Sequence, residues 1–263
     1  MSGAISFDLQ GLRALVTGGA SGIGLAITQA LIAHGAKVHI CGTKAQVLSD
    51  AKAALPKVHT SVADITREAD VRQLYNDIHA AWGGVDILIN NAGIAGPTAA
   101  VEDISLADWQ QCMEVNLTGT FLCTRAAVPT MKQQGSGSII NIGSVASRLG
   151  FPKRSPYSAS KYGVIGLTET WATELGPHGI RVNAILPGIV EGPRQDRVLS
   201  ASAEAAGVTV DQMRERVLQR VSLRKMVTAD EVAAAVIFLC SPTGSSITGQ
   251  SLSVDGHVET LVR

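Results

Sequence analysis

The feature that most constrains this chain is a glycine-rich turn that follows its first apolar segment. The run Thr17-Gly18-Gly19-Ala20-Ser21-Gly22-Ile23-Gly24 lies between an apolar stretch, residues 12–17, and a stretch with helical character, residues 23–34. Glycines at a strand-to-helix turn let backbone amides approach a pyrophosphate, whose charge the helix N-terminus favours. A glycine run alone is weak evidence, but this position is the context that the motif requires. We therefore predict a dinucleotide site at this turn.

The rest of the chain alternates apolar segments with helical ones, which predicts βαβ crossovers and a parallel, doubly wound sheet. Hydrophobic residues make up 46% of the chain and aromatic ones only 4%, as expected for strands covered on both faces. We expect one Rossmann-type α/β domain over residues 1–263. The predicted strands are 12–17, 37–41, 58–62, 85–90, 138–142, 180–186 and 251–254, and the predicted helices are 23–34, 45–54, 67–82, 106–133, 157–175, 212–221 and 230–239.

One region departs from this alternation. Residues 188–228 are polar, rich in arginine and less regular than the rest. Ligands of open α/β sheets bind outside the carboxyl ends of the strands, where insertions can cover them. We predict that this segment is a substrate-binding lid.

Charge and cysteine usage exclude several classes of protein. Lys+Arg and Asp+Glu both total 22, so there is no basic excess for nucleic acid, and a small-molecule substrate is expected. The four cysteines lack CxxC spacing, which predicts neither a disulfide framework nor a zinc or other metal site. No signal peptide and no run of about 18 apolar residues is visible, so we expect a cytoplasmic protein without a membrane span.

A second motif supplies candidate chemistry. Tyr157 and Lys161 are four residues apart at a helix start that Pro156 favours, so both project from one face. A tyrosine has an ordinary pKa of about 10, and lowering it by about 3 units takes roughly 4 kcal/mol. A nearby ammonium group and an oxidised nicotinamide ring are two sources of that stabilisation. The pair alone is weak evidence, since a solvated helix face can carry it by chance.

The glycine spacing TGxxxGxG together with YxxxK resembles the short-chain dehydrogenase/reductase family. The resemblance runs from Leu12 to Asp255 and implies four roles. A serine, here Ser144, hydrogen-bonds the substrate oxygen, and Tyr157 donates or accepts the proton. Lys161 contacts the nicotinamide ribose and acidifies the tyrosine, while Asn116 holds a water in the proton relay. The alternatives are a turn serine, a surface pair and a helix-interior asparagine.

The resemblance also implies a set of cofactor-binding residues. Asn90-Asn91-Ala92-Gly93 shapes the cofactor floor after one strand, Asp64 contacts adenine, and Pro187-Gly188 lies beside the nicotinamide. The full set is Gly18, Ser21, Ile23, Gly24, Thr43, Asp64, Ile65, Asn91, Tyr157, Lys161, Pro187, Gly188 and Ile189.

The end of the second strand predicts which nicotinamide cofactor is used. An acidic residue there favours NAD by binding the adenine ribose and repelling a 2′-phosphate. This chain reads Ile40-Cys41-Gly42-Thr43-Lys44, with glycine in place of the acid and two residues that can bind phosphate. We therefore predict NADP, with NAD as the alternative. The arginine that many NADP-dependent relatives carry is absent, and Lys44 can equally be a solvated helix-start residue.

Together these features predict an NAD(P)-dependent oxidoreductase that moves a hydride between nicotinamide and a secondary alcohol or ketone. A nucleotide-sensing binding protein on the same fold is the alternative, although sensors tend to lose the tyrosine or lysine. A sugar-nucleotide epimerase shares YxxxK but is longer, with a larger C-terminal domain.

Substrate charge and assembly are less constrained. Arginines at 148, 154 and 194 suggest an anionic or strongly polar substrate, although a solvated helix with mixed charges explains the pattern equally. Relatives usually form homotetramers through the two long helices. Val164, Leu167 and Trp171 fit such a face or the sheet. His257 stands where a glycine often follows Asp255-Gly256, and a tail continues to Arg263.

Overall fold

The computed structural model of this chain describes residues 6–261, without the side chains of Arg194, Ala201 and Ala205. Within that range it has seven strands: β1 (Arg13–Thr17), β2 (Lys37–Gly42), β3 (His59–Val62), β4 (Ile87–Asn90), β5 (Gly137–Ile142), β6 (Ile180–Pro187) and β7 (Ser251–Val254). Its α-helices are α1 (Gly22–Ala33), α2 (Ala45–Ala54), α3 (Glu68–Trp82), α4 (Leu106–Met113), α5 (Gly119–Gln134), α6 (Ser155–Leu175), α7 (Pro193–Ala206), α8 (Val210–Leu218) and α9 (Ala229–Cys240).

The strands form one sheet in the order β3-β2-β1-β4-β5-β6-β7. Every pairing in it is parallel, which confirms the predicted α/β Rossmann-type fold. The order reverses between β1 and β4, and the carboxyl ends of all strands meet at one edge. That edge is where open α/β sheets bind ligands.

Both faces of the sheet are buried, as the apolar strands require. Val16 and Ile40 point to the face covered by α1, α2 and α9, while Leu15 and Leu88 point to the face covered by α3, α5 and α6. Neighbouring residues of one strand therefore enter different cores, because side chains alternate across a strand. The four cysteines are buried free thiols.

The helix predicted over residues 106–133 is present, because the chain is helical without a break from Leu106 to Gln134, but its hydrogen bonding changes partway along. The structure divides it into α4 and α5, joined by a five-residue π-helical segment, Glu114–Thr118. Such π-helical turns add a residue to the helix and are frequent at functional sites. This one contains Asn116, so the interruption directs that side chain.

Residues 188–228 are more regular than predicted, because they contain α7 as well as α8. Helix α8 starts at a capping box in which Thr209 Oγ1 accepts from Gln212 N. An isolated parallel bridge outside the named strands joins Val190 to Val227, so the two ends of the segment lie side by side. Among the described helices, none combines the length and apolar character needed to cross a membrane.

Candidate active site

The glycine-rich turn is built around close backbone contacts. Gly18 has a φ of 62°, in the left-handed region that favours glycine. A Cβ added to Gly24 would lie 2.2 Å from Gly18 O and 2.5 Å from Asn91 Nδ2. The first turn of α1 therefore approaches the end of β1 so closely that only glycine fits.

Asn91 and Thr17 join this turn to the end of β4. Asn91 Nδ2 donates to Thr17 O at 2.9 Å, and Thr17 Oγ1 accepts from Asn91 N and Ala92 N, both at 3.0 Å. The predicted residues Gly18, Gly24 and Asn91 thus form one cluster at the reversal of strand order. Its glycine cradle, which side chains would fill, fits the approach of a dinucleotide pyrophosphate.

The other predicted residues of the turn lie at the start of α1. Ser21 precedes α1 with extended backbone and makes no capping bond with its exposed side chain. Ile23 is half-buried and packs against the core on the α1 face. An uncapped helix start leaves backbone N–H groups directed at the cradle.

The predicted adenine side lies at the ends of β2 and β3. Thr43 and Lys44 are exposed after β2. Asp64 Oδ1 accepts from Thr66 N at 2.9 Å and from Thr66 Oγ1 at 2.8 Å. Ile65 is buried against Gly119, where an added Cβ would lie 2.5 Å from Ile65 Cδ1.

Helix α6 carries Tyr157 and Lys161 on one side. Lys161 Nζ donates to Ile142 O at 2.8 Å and lies 5.9 Å from the centre of the Tyr157 ring. The lysine is only 5% exposed. A charged group is rarely buried without partners, so its position beside the phenol is a specific feature of the fold.

Asn116 reaches the same place from the π-helical segment. Its Oδ1 accepts from Ile94 N at 2.7 Å, and its Nδ2 donates to Ile94 O at 3.0 Å and to Ser160 Oγ at 3.0 Å. A Cβ added to Gly93 would lie 3.1 Å from Asn116 Oδ1 and 3.5 Å from Lys161 Nζ. The structure therefore brings Asn116 and Lys161 together around Gly93.

Ser144 follows β5, the strand that pairs with β4. Its Oγ accepts from Ala146 N at 3.1 Å, and its N donates to Ser147 Oγ at 3.2 Å. Because the oxygen acts as an acceptor in this contact, its own hydrogen remains able to donate to another oxygen.

The predicted nicotinamide side follows the end of β6. Pro187 is the last residue of that strand and is buried. A Cβ added to Gly188 would lie 2.7 Å from Asp255 Cα, so this turn is closely packed. Ile189 packs against a small core of Val145, Val221 and Val258, which connects the segment after Ser144 with the C-terminal tail.

Sequence reasoning missed two contributors. Ser160, inside the YxxxK motif, is fully buried, accepts from Asn116 Nδ2 and donates to Tyr157 O at 2.8 Å. Arg154 was noted only for its charge, but its guanidinium carbon lies 5.3 Å from the centre of the Tyr157 ring. Their spacing from Tyr157 was visible in the sequence, whereas the bond from Asn116 to Ser160 and the bonds of Arg154 to Thr98 and Ala95 depend on tertiary packing.

Comparison with known proteins agrees with this geometry. A family profile described as enoyl-(acyl carrier protein) reductase matches residues 18–258. D-beta-hydroxybutyrate dehydrogenase of Cupriavidus necator is 36% identical over 255 residues, covering 94% of this chain and 98% of that protein. The chain belongs to the short-chain dehydrogenase/reductase family.

Two solved structures of this family superpose closely. NAD+-bound xylitol dehydrogenase has a TM-score of 0.89 at 30% identity, covering 94% of this chain and 99% of the other. A point variant of actinorhodin polyketide ketoreductase with NADPH has a TM-score of 0.90 at 33% identity, covering 95% and 97%. This short-chain dehydrogenase/reductase is therefore an NAD(P)-dependent oxidoreductase of alcohol/carbonyl pairs. No finding favours the nucleotide-sensing alternative.

Proposed function

We propose that Tyr157 is the general acid and base of the reaction, with Ser144, Lys161 and Asn116 as its partners. The observation that carries this proposal is the meeting of Asn116 Oδ1 and Lys161 Nζ around Gly93, with that ammonium 5.9 Å from the Tyr157 ring centre. A cation beside a phenol favours its anion, which makes proton exchange easier.

In the direction of reduction, Tyr157 donates its hydroxyl proton to the carbonyl oxygen of the substrate. Ser144 Oγ, which accepts from Ala146 N, donates its hydrogen to the same oxygen and orients the carbonyl. Lys161 stabilises the phenolate that remains, and Asn116 holds the Ile94 backbone that borders the site. The bound nicotinamide supplies the hydride or accepts it in the reverse direction.

The proposed roles are tested by an activity screen. Purified protein is mixed with reduced cofactor and a panel of carbonyl compounds, and with oxidised cofactor and the matching alcohols, while nicotinamide absorbance is followed. We expect turnover on at least one pair and a loss of about 100-fold or more in Ser144→Ala, the size of effect expected when one hydrogen-bond donor to the reacting oxygen is removed. Turnover in Ser144→Ala equal to that of the unmodified protein would contradict the proposal.

We propose the remaining predicted residues as the cofactor site: Gly18, Ser21, Ile23, Gly24, Thr43, Asp64, Ile65, Asn91, Pro187, Gly188 and Ile189. NADP is the proposed cofactor, since Gly42 stands where an acid would repel a 2′-phosphate and the exposed Thr43 and Lys44 follow it. Dissociation constants for NADPH and NADH, measured by fluorescence, test this choice. Tighter binding of NADH would contradict it.

We propose that residues 188–228 form a substrate lid within a single domain of residues 1–263. The segment leaves the sheet after β6, and Glu191 N donates to Val227 O at 2.9 Å where it returns. Limited trypsin digestion tests the lid. We expect cleavage within this segment first, slowed when cofactor and substrate are both bound; equal rates with and without them would contradict the lid.

We propose that the substrate is small and anionic or strongly polar. Hydroxybutyrate, named for one relative, is a carboxylate, and Lys153 is exposed in the loop before Tyr157. Arg148 and Arg154 donate instead to the protein itself, to Ser251 O and Ala95 O. Comparing kcat/KM for hydroxy acids and their amides, with Lys153→Ala, tests substrate charge; a preference for the amides would contradict it.

We also propose a cytoplasmic homotetramer. Four buried free thiols suit a reducing compartment, and Leu106, Trp109 and Tyr162 leave apolar surface exposed on α4 and α6. Sedimentation velocity gives the assembly and cell fractionation the location. A monomer at micromolar concentration would contradict the tetramer, and recovery outside the cytoplasmic fraction would contradict the location.

A further inference from the structure

Arg154 lies between two aromatic rings at the entrance to α6. Its guanidinium carbon is 5.3 Å from the centre of the Phe151 ring and 5.3 Å from the centre of the Tyr157 ring. Guanidinium groups are attracted to the faces of aromatic rings at such distances. Arg154 is therefore held between the Phe151 ring and the ring of Tyr157, the residue to which the proposed function assigns proton transfer.

The same guanidinium group is hydrogen-bonded to the segment that follows β4, residues 94–100. Arg154 Nη2 donates to Ala95 O at 2.8 Å, and Nη1 donates to Thr98 Oγ1 at 3.0 Å. One residue earlier, the carbonyl oxygen of Lys153 accepts from Ala99 N at 3.0 Å. Three hydrogen bonds thus join this segment to the loop before Tyr157.

Asn116 fixes the start of segment 94–100 through both backbone groups of Ile94. A Cβ added to Gly96 would lie 3.1 Å from Cys112 Sγ, so the segment also lies directly on α4. The segment is therefore held at its start by Asn116, beneath by α4 and along its length by Arg154 and the Lys153 carbonyl oxygen.

The backbone beside Arg154 is unusual for its residue type. Lys153 has a φ of 62°, in the left-handed region that non-glycine residues seldom occupy. Uncommon backbone of this kind persists where the surrounding structure determines it, and it concentrates at functional sites. Here the Lys153 carbonyl oxygen accepts one of the three hydrogen bonds that join segment 94–100 to the loop before Tyr157. The uncommon backbone conformation of Lys153 is therefore part of that link between the two segments.

We infer that Arg154 is a positioning residue of the reaction, which fixes the Tyr157 ring and segment 94–100 as one wall of the substrate cleft. The inference rests on the proposed role of Tyr157. A guanidinium group stays charged at any working pH, so it also keeps a second positive group, after Lys161, beside the ring. Both of its terminal nitrogens already donate to the protein, which favours positioning over direct recognition of an anionic substrate.

Two variants separate this role from a general effect on folding. Arg154→Met removes both the charge and the hydrogen bonds, whereas Arg154→Lys keeps the charge but has a single donor nitrogen, which cannot occupy the positions of both Nη1 and Nη2. Arg125→Met is the matched control, because Arg125 also lies over a ring, 5.2 Å from the centre of Phe121, and pairs with Glu68 at 2.7 Å. Thermal unfolding establishes that each variant is folded under the assay conditions.

We expect Arg154→Met to lower kcat by about 10- to 100-fold, the size of effect that a small misplacement of reacting groups produces. Arg154→Lys should recover part of that loss, and the dissociation constant of the cofactor should stay within about twofold in both. Arg125→Met should keep the kcat of the unmodified protein. A raised KM with unchanged kcat would overturn the inference in favour of direct substrate binding.

An unchanged kcat in Arg154→Met, or equal losses in the Lys and Met variants, would also overturn it. Failure of the proposed function has a different signature. If the protein turns over substrate and Tyr157→Phe does so equally well, the role of Tyr157 is wrong whatever the Arg154 variants do.

Discussion

The half of the molecule proposed to bind the nucleotide and the side proposed to bind the substrate are built in different ways. In the nucleotide half, backbone approaches backbone through glycines, as where Gly24 meets Gly18, and the polar Thr17 is 1% exposed. On the proposed substrate side, the described residues include three non-glycine residues with positive φ, Lys153, Arg224 and His257. Leu223 on this side is 64% exposed. In the proposed account, the first region is shaped by a constant ligand, a pyrophosphate, and the second by side chains that differ with the substrate.

The comparison predicts its largest effect at Gly24. In Gly24→Ala the new Cβ would lie 2.2 Å from Gly18 O, so the turn must open, at a cost of about 3 kcal/mol in the free energy of unfolding. We expect cofactor affinity to fall by more than about 100-fold, measured by fluorescence titration. Gly176→Ala is the control, because nothing lies within 4 Å of its added Cβ. Near-normal cofactor affinity in Gly24→Ala would contradict the idea that close backbone contact at this turn shapes the nucleotide site.

A second prediction concerns pH and the burial of His39 on β2. Burial, with a smaller contribution from the neighbouring His59, lowers the pKa of His39 to about 4. Below the ordinary value of about 6.5, the unfolded chain takes up a proton that the folded chain does not. The free energy of unfolding should therefore fall as the pH drops through the window from about 6.5 to 4, by about 2 kcal/mol between pH 7.5 and 5.

Denaturant unfolding at several pH values measures the slope of the free energy of unfolding against pH. His39→Leu should flatten this slope between about pH 6.5 and 4. Ser61→Ala removes the hydroxyl that lies 2.9 Å from His39 Nε2, and it should lower stability while keeping most of the slope. The same slope in His39→Leu as in the unmodified protein would mean that other groups produce it.

A smaller effect is expected in the proposed lid, at the start of α8. Thr209→Ala removes the cap that accepts from Gln212 N, which costs about 1 kcal/mol of local stability. We expect faster trypsin cleavage within residues 188–228 and a raised KM, with cofactor affinity unchanged. A matching loss of cofactor affinity would show that the two regions are not independent.

The smallest predicted effect is at Lys44. Lys44→Ala should weaken NADPH binding relative to NADH by a few-fold, about 1 kcal/mol at most, because one exposed charge contributes little in water. Dissociation constants for both cofactors measure it, with Lys57→Ala, another exposed lysine, as the control. An equal change in the dissociation constants of NADH and NADPH would mean that Lys44 does not contact the 2′-phosphate.

The same contrast explains what the sequence could predict. Glycine spacing and apolar segments predicted the sheet and the turn at Gly18, because these follow from local backbone preferences. The four-residue spacing of Tyr157 and Lys161 at a helix start predicted that they share one face, and the family resemblance supplied their roles. The π-helical segment at Asn116 was not predicted, since the surrounding residues read as ordinary helix. Helix α7 was also missed, although Pro193 in its first turn and Gly207 at its C-cap are local helix signals. The position of Arg154 against Tyr157 was missed because Ala95 and Thr98, which hold the guanidinium group, are distant in the sequence.

The most direct test of this account compares two quantities in Tyr157→Phe, a change that removes only the phenolic oxygen. The account predicts that kcat falls by about 1,000-fold, within the range for a lost acid–base group, while the dissociation constant of the cofactor stays within about twofold. A kcat within tenfold of the unmodified protein, or a loss of cofactor binding that accounts for the whole decrease, would contradict it.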